Sequence, residues 1–281
     1  MQDFIVVNNL TYKYVDGENV NTAVNDISLS VPKGKFIAVL GHNGSGKSTF
    51  AKNLNAILRP TSGSVIVDGY DTGKDGDIYK IRQKCGMVFQ NPDNQIVATI
   101  VEDDVAFGAE NLGIEPDEIR KRVDSALEVV KMTEFKDKAP HLLSGGQKQK
   151  VAIAGIIAMK PECIILDEST AMLDPMGRVD LMETVKSLNK EEKITVIHIT
   201  HYMEETVDAD YIYVMNDGNI AMQGEPREIF CQVEKLKSLG LEAPPMTYLS
   251  YLLNEENVNV DRKILTIDEM KEALCRLLSK I

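Results

Sequence analysis

This 281-residue chain has no apolar run approaching the ~18 uninterrupted residues of a membrane span. No segment is therefore read as a transmembrane helix. Met1-Gln2-Asp3-Phe4 lacks the basic and apolar regions of a signal peptide, so the chain is expected to be made and kept in the cytosol. Its four cysteines, Cys85, Cys163, Cys231 and Cys275, are far apart. No CxxC or Cys/His spacing is present, which argues against a zinc site and for reduced, structurally ordinary thiols. Lys and Arg number 31 against 43 Asp and Glu, a formal charge of −12. That balance argues against nucleic acid or anionic lipid as the main contact and favours a basic protein segment. There is no internal repeat and no low-complexity segment. What is present is a 43% hydrophobic composition, enough to bury a core, in a length that fits one large domain with or without a small appendage.

Phe4–Val7 and Ala23–Val31 read as strands of an antiparallel sheet. Phe36–Leu40 is a continuous apolar run, as expected of a strand buried on both faces. It ends at Gly41, and Ser48–Leu58 reads as a helix stopped by Pro60. Ser64–Val67 with Asp68-Gly69 looks like a strand and tight turn. From about 93 to 160 the pattern is mainly helical, with Val123, Leu127 and Val130 forming one apolar face. Buried-strand patterns return at Cys163–Leu166 and Ile194–Ile199. Tyr211–Met215, Asn216–Asn219 and Ile220–Met222 carry a hairpin signal. Composition shifts after about 232, where Pro244-Pro245 and polar 254–259 precede a last helix with a capping box at Thr266–Glu269. The expected division is a main domain over 1–232, with a helical subdomain at about 91–160, and an appendage over 233–281.

Gly41, Gly46, Lys47 and Ser48 fill every fixed position of G-x-x-x-x-G-K-[ST]. Glycines let backbone N–H groups converge on phosphate oxygens, and the following helix adds its N-terminal dipole. Lys47 is suited to the β- and γ-phosphates and Ser48 to Mg²⁺. Gly41, His42, Asn43, Gly44, Ser45, Gly46, Lys47, Ser48 and Thr49 are thus the expected nucleotide-binding loop. This loop alone does not separate kinase, GTPase and motor ATPase. Asn189-Lys190-Glu191-Glu192 approaches the guanine motif N-K-x-D but ends in the wrong residue. Asp167, at the end of an apolar strand, is placed to organise Mg²⁺, and Glu168 to polarise the attacking water. Leu143-Ser144-Gly145-Gly146-Gln147 has no obvious task in its own chain.

Taken together, these motifs resemble the nucleotide-binding subunits of ABC transporters over roughly residues 3 to 230. Gly41–Ser48 resembles Walker A, Leu143–Gln147 the signature, Cys163–Glu168 Walker B with the catalytic glutamate, and Ala171–Asp174 the D-loop. A chance L-S-G-G-Q arises on the order of once in a few thousand such chains, so this motif is more specific than the phosphate loop. The resemblance implies an α/β P-loop fold with a RecA-like core, an antiparallel β subdomain and a helical signature subdomain. It further implies that Gln90 approaches Mg²⁺ and the attacking water and that His201 bonds the γ-phosphate. Tyr14 is implied to stack on adenine, with Tyr12 as the fallback. Leu143–Gln147 would act on an ATP held by a second subunit. Met87–Gln95 and Thr99–Gly108 resemble more narrowly the ATPases of energy-coupling factor (ECF) importers, and Glu168–Pro175 the first of their two paired ATPases. Those importers take up vitamins or transition-metal ions. Their ATPase pair docks on a transmembrane coupling protein that holds a separate substrate-binding membrane protein. Such a chain would sit peripherally on the cytoplasmic face of the cell membrane.

Two departures from the family stand out. Lys150 replaces an arginine usual after the signature, and Met172 makes the D-loop bulkier, which favours a non-identical partner. Glu102, Asp103 and Asp104 are read either as a solvated helix start or as receivers of arginines from the membrane partner. Leu236, Leu239 and Leu241 are open between dimer contact and internal packing. A dedicated cobalt or nickel ABC importer is the alternative within transport. Soluble ABC ATPases of DNA repair or chromosome maintenance need a long coiled coil that Thr49–Leu142 is too short to hold. Translation factors usually carry two such domains, and a non-catalytic binder is disfavoured by Lys47, Asp167, Glu168 and His201.

Overall fold

The computed structural model describes residues 3–279. Its two opening strands are longer than expected and bulged. β1 (Asp3–Asp16) pairs antiparallel with β2 (Asn19–Pro32), and the register shifts between Val7 and Leu10. Asn9 (φ 48°) and Asp26 (φ 51°) take left-handed backbone here, and Asn9 Nδ2 donates to Asp26 Oδ1 at 2.9 Å. Asn and Asp tolerate that conformation better than other side chains. The polar Asn8-Asn9 step breaks the alternation after Val7, so the continuation was not visible in the pattern.

The chain continues through β3 (Phe36–Leu40), α1 (Lys47–Leu54), β4 (Ser62–Val67), β5 (Tyr70–Asp71), α2 (Ile78–Lys84) and β6 (Cys85–Val88). Helices α3 (Val101–Asn111), α4 (Pro116–Val129) and α5 (Gly145–Ala158) follow. Then come β7 (Cys163–Asp167), α6 (Pro175–Glu192), β8 (Thr195–Ile199), β9 (Tyr211–Asn216) and β10 (Asn219–Gly224). The last elements are α7 (Pro226–Phe230), α8 (Val233–Ser238), α9 (Pro245–Glu255) and α10 (Ile267–Leu278). Among the described residues no helix is long and apolar enough to cross a membrane.

The chain divides into two compact units. One holds the residues up to Phe36 together with Ser48–Ile199. In it, strands run in the order β2-β1-β4-β5 in an antiparallel sheet. Separately, β6, β7 and β8 are parallel neighbours, with Cys85 opposite Cys163 and Leu166 opposite His198. Every residue of β7 and β8 is buried, so their unbroken apolar runs reflect cover on both faces. Helix α1 ends four residues short of the expected Leu58. Ala56 turns left-handed (φ 54°), and the amides of Ile57 and Leu58 both fold back on Lys52 O. That closure ends the helix before Pro60 is reached. Helices α3, α4 and α5 pack together, and Val123, Leu127 and Val130 are all buried.

The other unit holds Ile37–Lys47 and the residues from Thr200 onward. Here β3 lies parallel to β9, which pairs antiparallel with β10. Helices α9 and α10 enclose Val260, Ile264 and Met270. Thr266 caps α10 with the expected box: its hydroxyl accepts from Glu269 N, and the Glu269 carboxylate accepts from Thr266 N. Leu236 and Leu241 are buried at 0% and 5% exposure, as internal packing requires, while Leu239 is half-buried.

Arg227, on α7, forks onto Glu269 and also donates to Lys263 O at 2.7 Å. The guanidinium, helped by the Leu265 amide, holds the Glu269 carboxyl down at about 2. A depressed carboxylate stabilises above its unfolded value of 4.5 and loses that contribution as pH falls toward about 2. Hydrogen-exchange protection factors in α10, corrected for the intrinsic pH dependence of amide exchange, should therefore fall over that acid window in the native chain and show no such step in Glu269→Gln.

Candidate nucleotide site

The phosphate loop begins where β3 ends. A Cβ at Gly41 would lie 2.5 Å from Met215 O and 2.5 Å from Ser45 Oγ, so no side chain fits there. Gly46 turns at φ +101°, which L residues avoid. The turn of the β9–β10 hairpin braces the loop: Gly218 N donates to Ser45 O at 3.0 Å, and His42 Nε2 bonds Asn216 Oδ1 at 3.1 Å. No functional motif marks Asn216. Its only sequence signal is its place in the hairpin, and nothing local says which loop that hairpin meets. Lys47 is buried, and its ammonium donates to Gly41 O at 2.8 Å and His42 O at 2.9 Å. The loop's own carbonyls thus solvate the charge intended for phosphate. His201 lies beside Tyr202, their ring centroids 4.2 Å apart and their planes tilted by 38°, and with His42, Asn43, Lys237 and Tyr248 it lines a cavity of about 740 Å³.

In the other unit, α1 carries Ser48 and Thr49. Ser48 Oγ donates to Asp167 Oδ1 at 2.9 Å, across 119 residues of sequence. Asp167 is 4% exposed at the end of β7. Two adjacent hard oxygens suit Mg²⁺, which keeps the rest of its shell for phosphate and water. Tyr14 is exposed, meets Tyr12 edge-on at 4.9 Å, and shares a hydrogen bond with Thr49 Oγ1 at 3.2 Å. An accessible aromatic face therefore stands beside the phosphate-loop helix.

Glu168 follows β7 with φ 48°, an unfavourable backbone for a side chain of this size. Its amide donates to Ile199 O at 2.9 Å and its carbonyl accepts from Ala171 N at 3.1 Å, so both sides of the bend are pinned. Strain of about 1–3 kcal/mol persists only where surroundings impose it, and such bends gather at working sites. Gln90 Nε2 donates to Glu168 Oε2 at 3.2 Å. The side chains expected to handle water are thus in contact, at the C-terminal ends of neighbouring parallel strands.

The signature pentapeptide does have a task in its own chain. Ser144 caps α5: its hydroxyl accepts from Gln147 N at 3.3 Å, and Gln147 Oε1 accepts from Ser144 N at 2.9 Å. Leu143 is buried, while Ser144 and Gly145 are exposed at the helix start. A Cβ on Gly146 would lie 3.0 Å from Leu173 Cδ2, so the D-loop packs on the signature within one chain. Asp174 caps α6, accepting from Gly177 N at 2.7 Å. Lys150 reaches Asp180 through a single contact of 3.5 Å. The acidic run is not one surface. Asp104 is buried, and its Oδ1 accepts from the amides of Val97 (2.7 Å) and Ala98 (3.0 Å), whereas Asp103 is exposed and Glu102 faces Arg120 at 3.8 Å.

The sequence pattern of the ABC transporter family matches residues 24–171. The chain is 58% identical over 277 residues to the energy-coupling factor transporter ATP-binding protein EcfA1 of Clostridioides difficile, covering 99% of this chain and 100% of that one. The protein of the same name from Streptococcus pyogenes is 46% identical over the full length of both. Among solved structures, cbiO1 of Clostridium perfringens, part of the ABC transporter complex cbiONQ, superposes with a TM-score of 0.76 at 39% identity, over 90% of this chain and all of that one. A dimeric ATP-binding cassette in a post-hydrolysis state with ADP and Pi gives 0.74 at 31% identity, over 79% of this chain and 98% of that one. The parallel strands, separate antiparallel sheet and helical segment accord with that fold. The chain belongs to the ABC transporter family, in its branch of energy-coupling factor ATP-binding proteins.

Proposed function

We propose that the chain binds and hydrolyses ATP as one of two non-identical ATPases on the cytoplasmic face of an importer for vitamins or other micronutrients. The observation that carries this reading is the pairing of Ser48 with Asp167 and of Gln90 with Glu168 at the ends of β6 and β7. Lys47 and the loop amides bind the β- and γ-phosphates, and Tyr14 stacks on adenine. Ser48, Asp167 and Gln90 are the residues that would hold Mg²⁺, which supplies charge neutralisation on the phosphate oxygens when bound. Glu168 orients the attacking water and takes its proton as the oxygen joins the γ-phosphorus. The bond to the β–γ bridging oxygen breaks, and ADP and phosphate leave. His201 steadies the γ-phosphate.

The signature offers its helix start to the partner's ATP. Leu142, Met172 and Met176 are 70%, 54% and 71% exposed near the signature and D-loop, which supports a partner surface there. Residues 1–232 form the ATPase domain in this reading, with the helical subdomain near 91–160, and 233–281 add a dimer contact. A transmembrane coupling protein, holding a separate substrate-binding protein, docks on the helical segment, where Glu102 and Asp103 receive its arginines.

Co-purification from membranes tests this. The wild-type chain should bring down a second ATPase and membrane proteins, and the complex should hydrolyse ATP. Glu102→Lys/Asp103→Lys should lose the membrane proteins and keep the ATPase pair. Asp104 is left intact, because losing it would strand two amides at a cost of about 1–3 kcal/mol. Full assembly of the double variant would rule out the proposed arginine contact.

A further inference from the structure

Phe89 lies between the end of β6 and Gln90, and glutamines hold its peptide groups from two sides. Gln149 Nε2 donates to Phe89 O at 3.0 Å. Gln95 Oε1 accepts from Phe89 N at 3.2 Å. Gln149 belongs to α5, and Gln95 reaches α5 as well, donating through Nε2 to Ala152 O at 3.2 Å. The N–H and the C=O of one residue are thus both tied to the helix that Ser144 opens. Lys148 adds a third tie to the same segment, 2.7 Å from Asp93.

Beyond the strand ladder, Phe89's N–H and C=O must find partners, and any satisfied loop would do. Two features make this clamp more than that. Gln149 is fully buried, where an apolar residue of equal volume would avoid burying an amide. The clamped residue is also the immediate neighbour of Gln90, whose side chain holds Glu168. Contacts therefore run unbroken from the signature helix, through Phe89 and Gln90, to the carboxylate.

We propose that Gln95 and Gln149 are positioning residues for ATP hydrolysis, holding the N–H and the C=O of Phe89 so that the neighbouring Gln90 stays seated on Glu168. The proposal rests on Gln90 and Glu168 being the pair that handles the attacking water.

The test uses the chain in its purified native complex. Gln95→Met and Gln149→Met keep length and bulk and remove the amide. Each should lower kcat about 10-fold and leave KM for ATP within about twofold, since one lost hydrogen bond misplaces the group next to the base without touching nucleotide. In a Gln90→Ala background either change should alter kcat by less than about twofold, because the route is already cut. Gln149→Glu adds a pH readout. Only its protonated carboxyl can donate to Phe89 O, so its rate relative to wild type should rise from about pH 8 to about pH 6, while the Gln149→Met ratio stays flat. That comparison sets one protein against itself and is unaffected by a uniform loss of folded chain. Full tenfold losses in the Gln90→Ala background, or a flat Gln149→Glu ratio, would overturn the clamp. Wild-type kcat in both methionine variants, beside a slow Gln90→Ala and an inactive Glu168→Gln, would overturn it alone. Wild-type hydrolysis by Glu168→Gln would remove the site reading and the clamp together.

Discussion

Glu168→Gln should bind ATP and fail to turn it over. The substitution preserves shape, the left-handed bend at φ 48° and the amide bond to Ile199 O. Its carbonyl oxygen still accepts from Gln90 Nε2, so the contact at 3.2 Å has no reason to open. What is lost is the ability to take a proton from water, a contribution of about 10²–10⁴ in rate. In the proposed ATPase pair the γ-phosphate should then persist, and with it its contacts to the second subunit. The native complex carrying this variant should show ATP retained after gel filtration, the ATPase pair locked together, and phosphate release at least about 100-fold slower. Hydrolysis at the wild-type rate would refute Glu168 as the base.

Lys47→Ala should act earlier, on binding. The ammonium is buried and donates to Gly41 O and His42 O, so its first role is to hold the loop in shape. Bound phosphate would draw the same charge through bonds worth about 1.5–3 kcal/mol each. Losing both effects should weaken nucleotide binding about 100-fold or more. Arginine is no substitute, because its planar fork does not fit a slot shaped for a compact ammonium. Calorimetric titration with nucleotide measures the loss, and affinity within about threefold of wild type would contradict the assignment.

Legibility differed from residue to residue, for physical reasons. β3, β7 and β8 were visible because strands covered on both faces need unbroken apolar runs. Thr266 was visible as a cap because its partner Glu269 is three residues away. β1 beyond Val7 was hidden, since the bulge at Asn9 destroys the period that marks a strand. The family resemblance points Ser144 and Gln147 outward only, although their spacing is also that of a capping box. Asp104 looked like Glu102 and Asp103 until the fold turned it onto two amides.

By itself the sequence determined the phosphate loop, the acidic pair at the end of β7, the signature and their order. Each is a local pattern whose chemistry depends on residue type and close spacing. Only the tertiary structure decided that Ser48 meets Asp167, that a hairpin turn braces Ser45, and that Gln149 grips Phe89 across 60 residues. Such contacts depend on which strand ends become neighbours and which way a helix turns its side chains. Both are properties of packing, and no short run of residues encodes them.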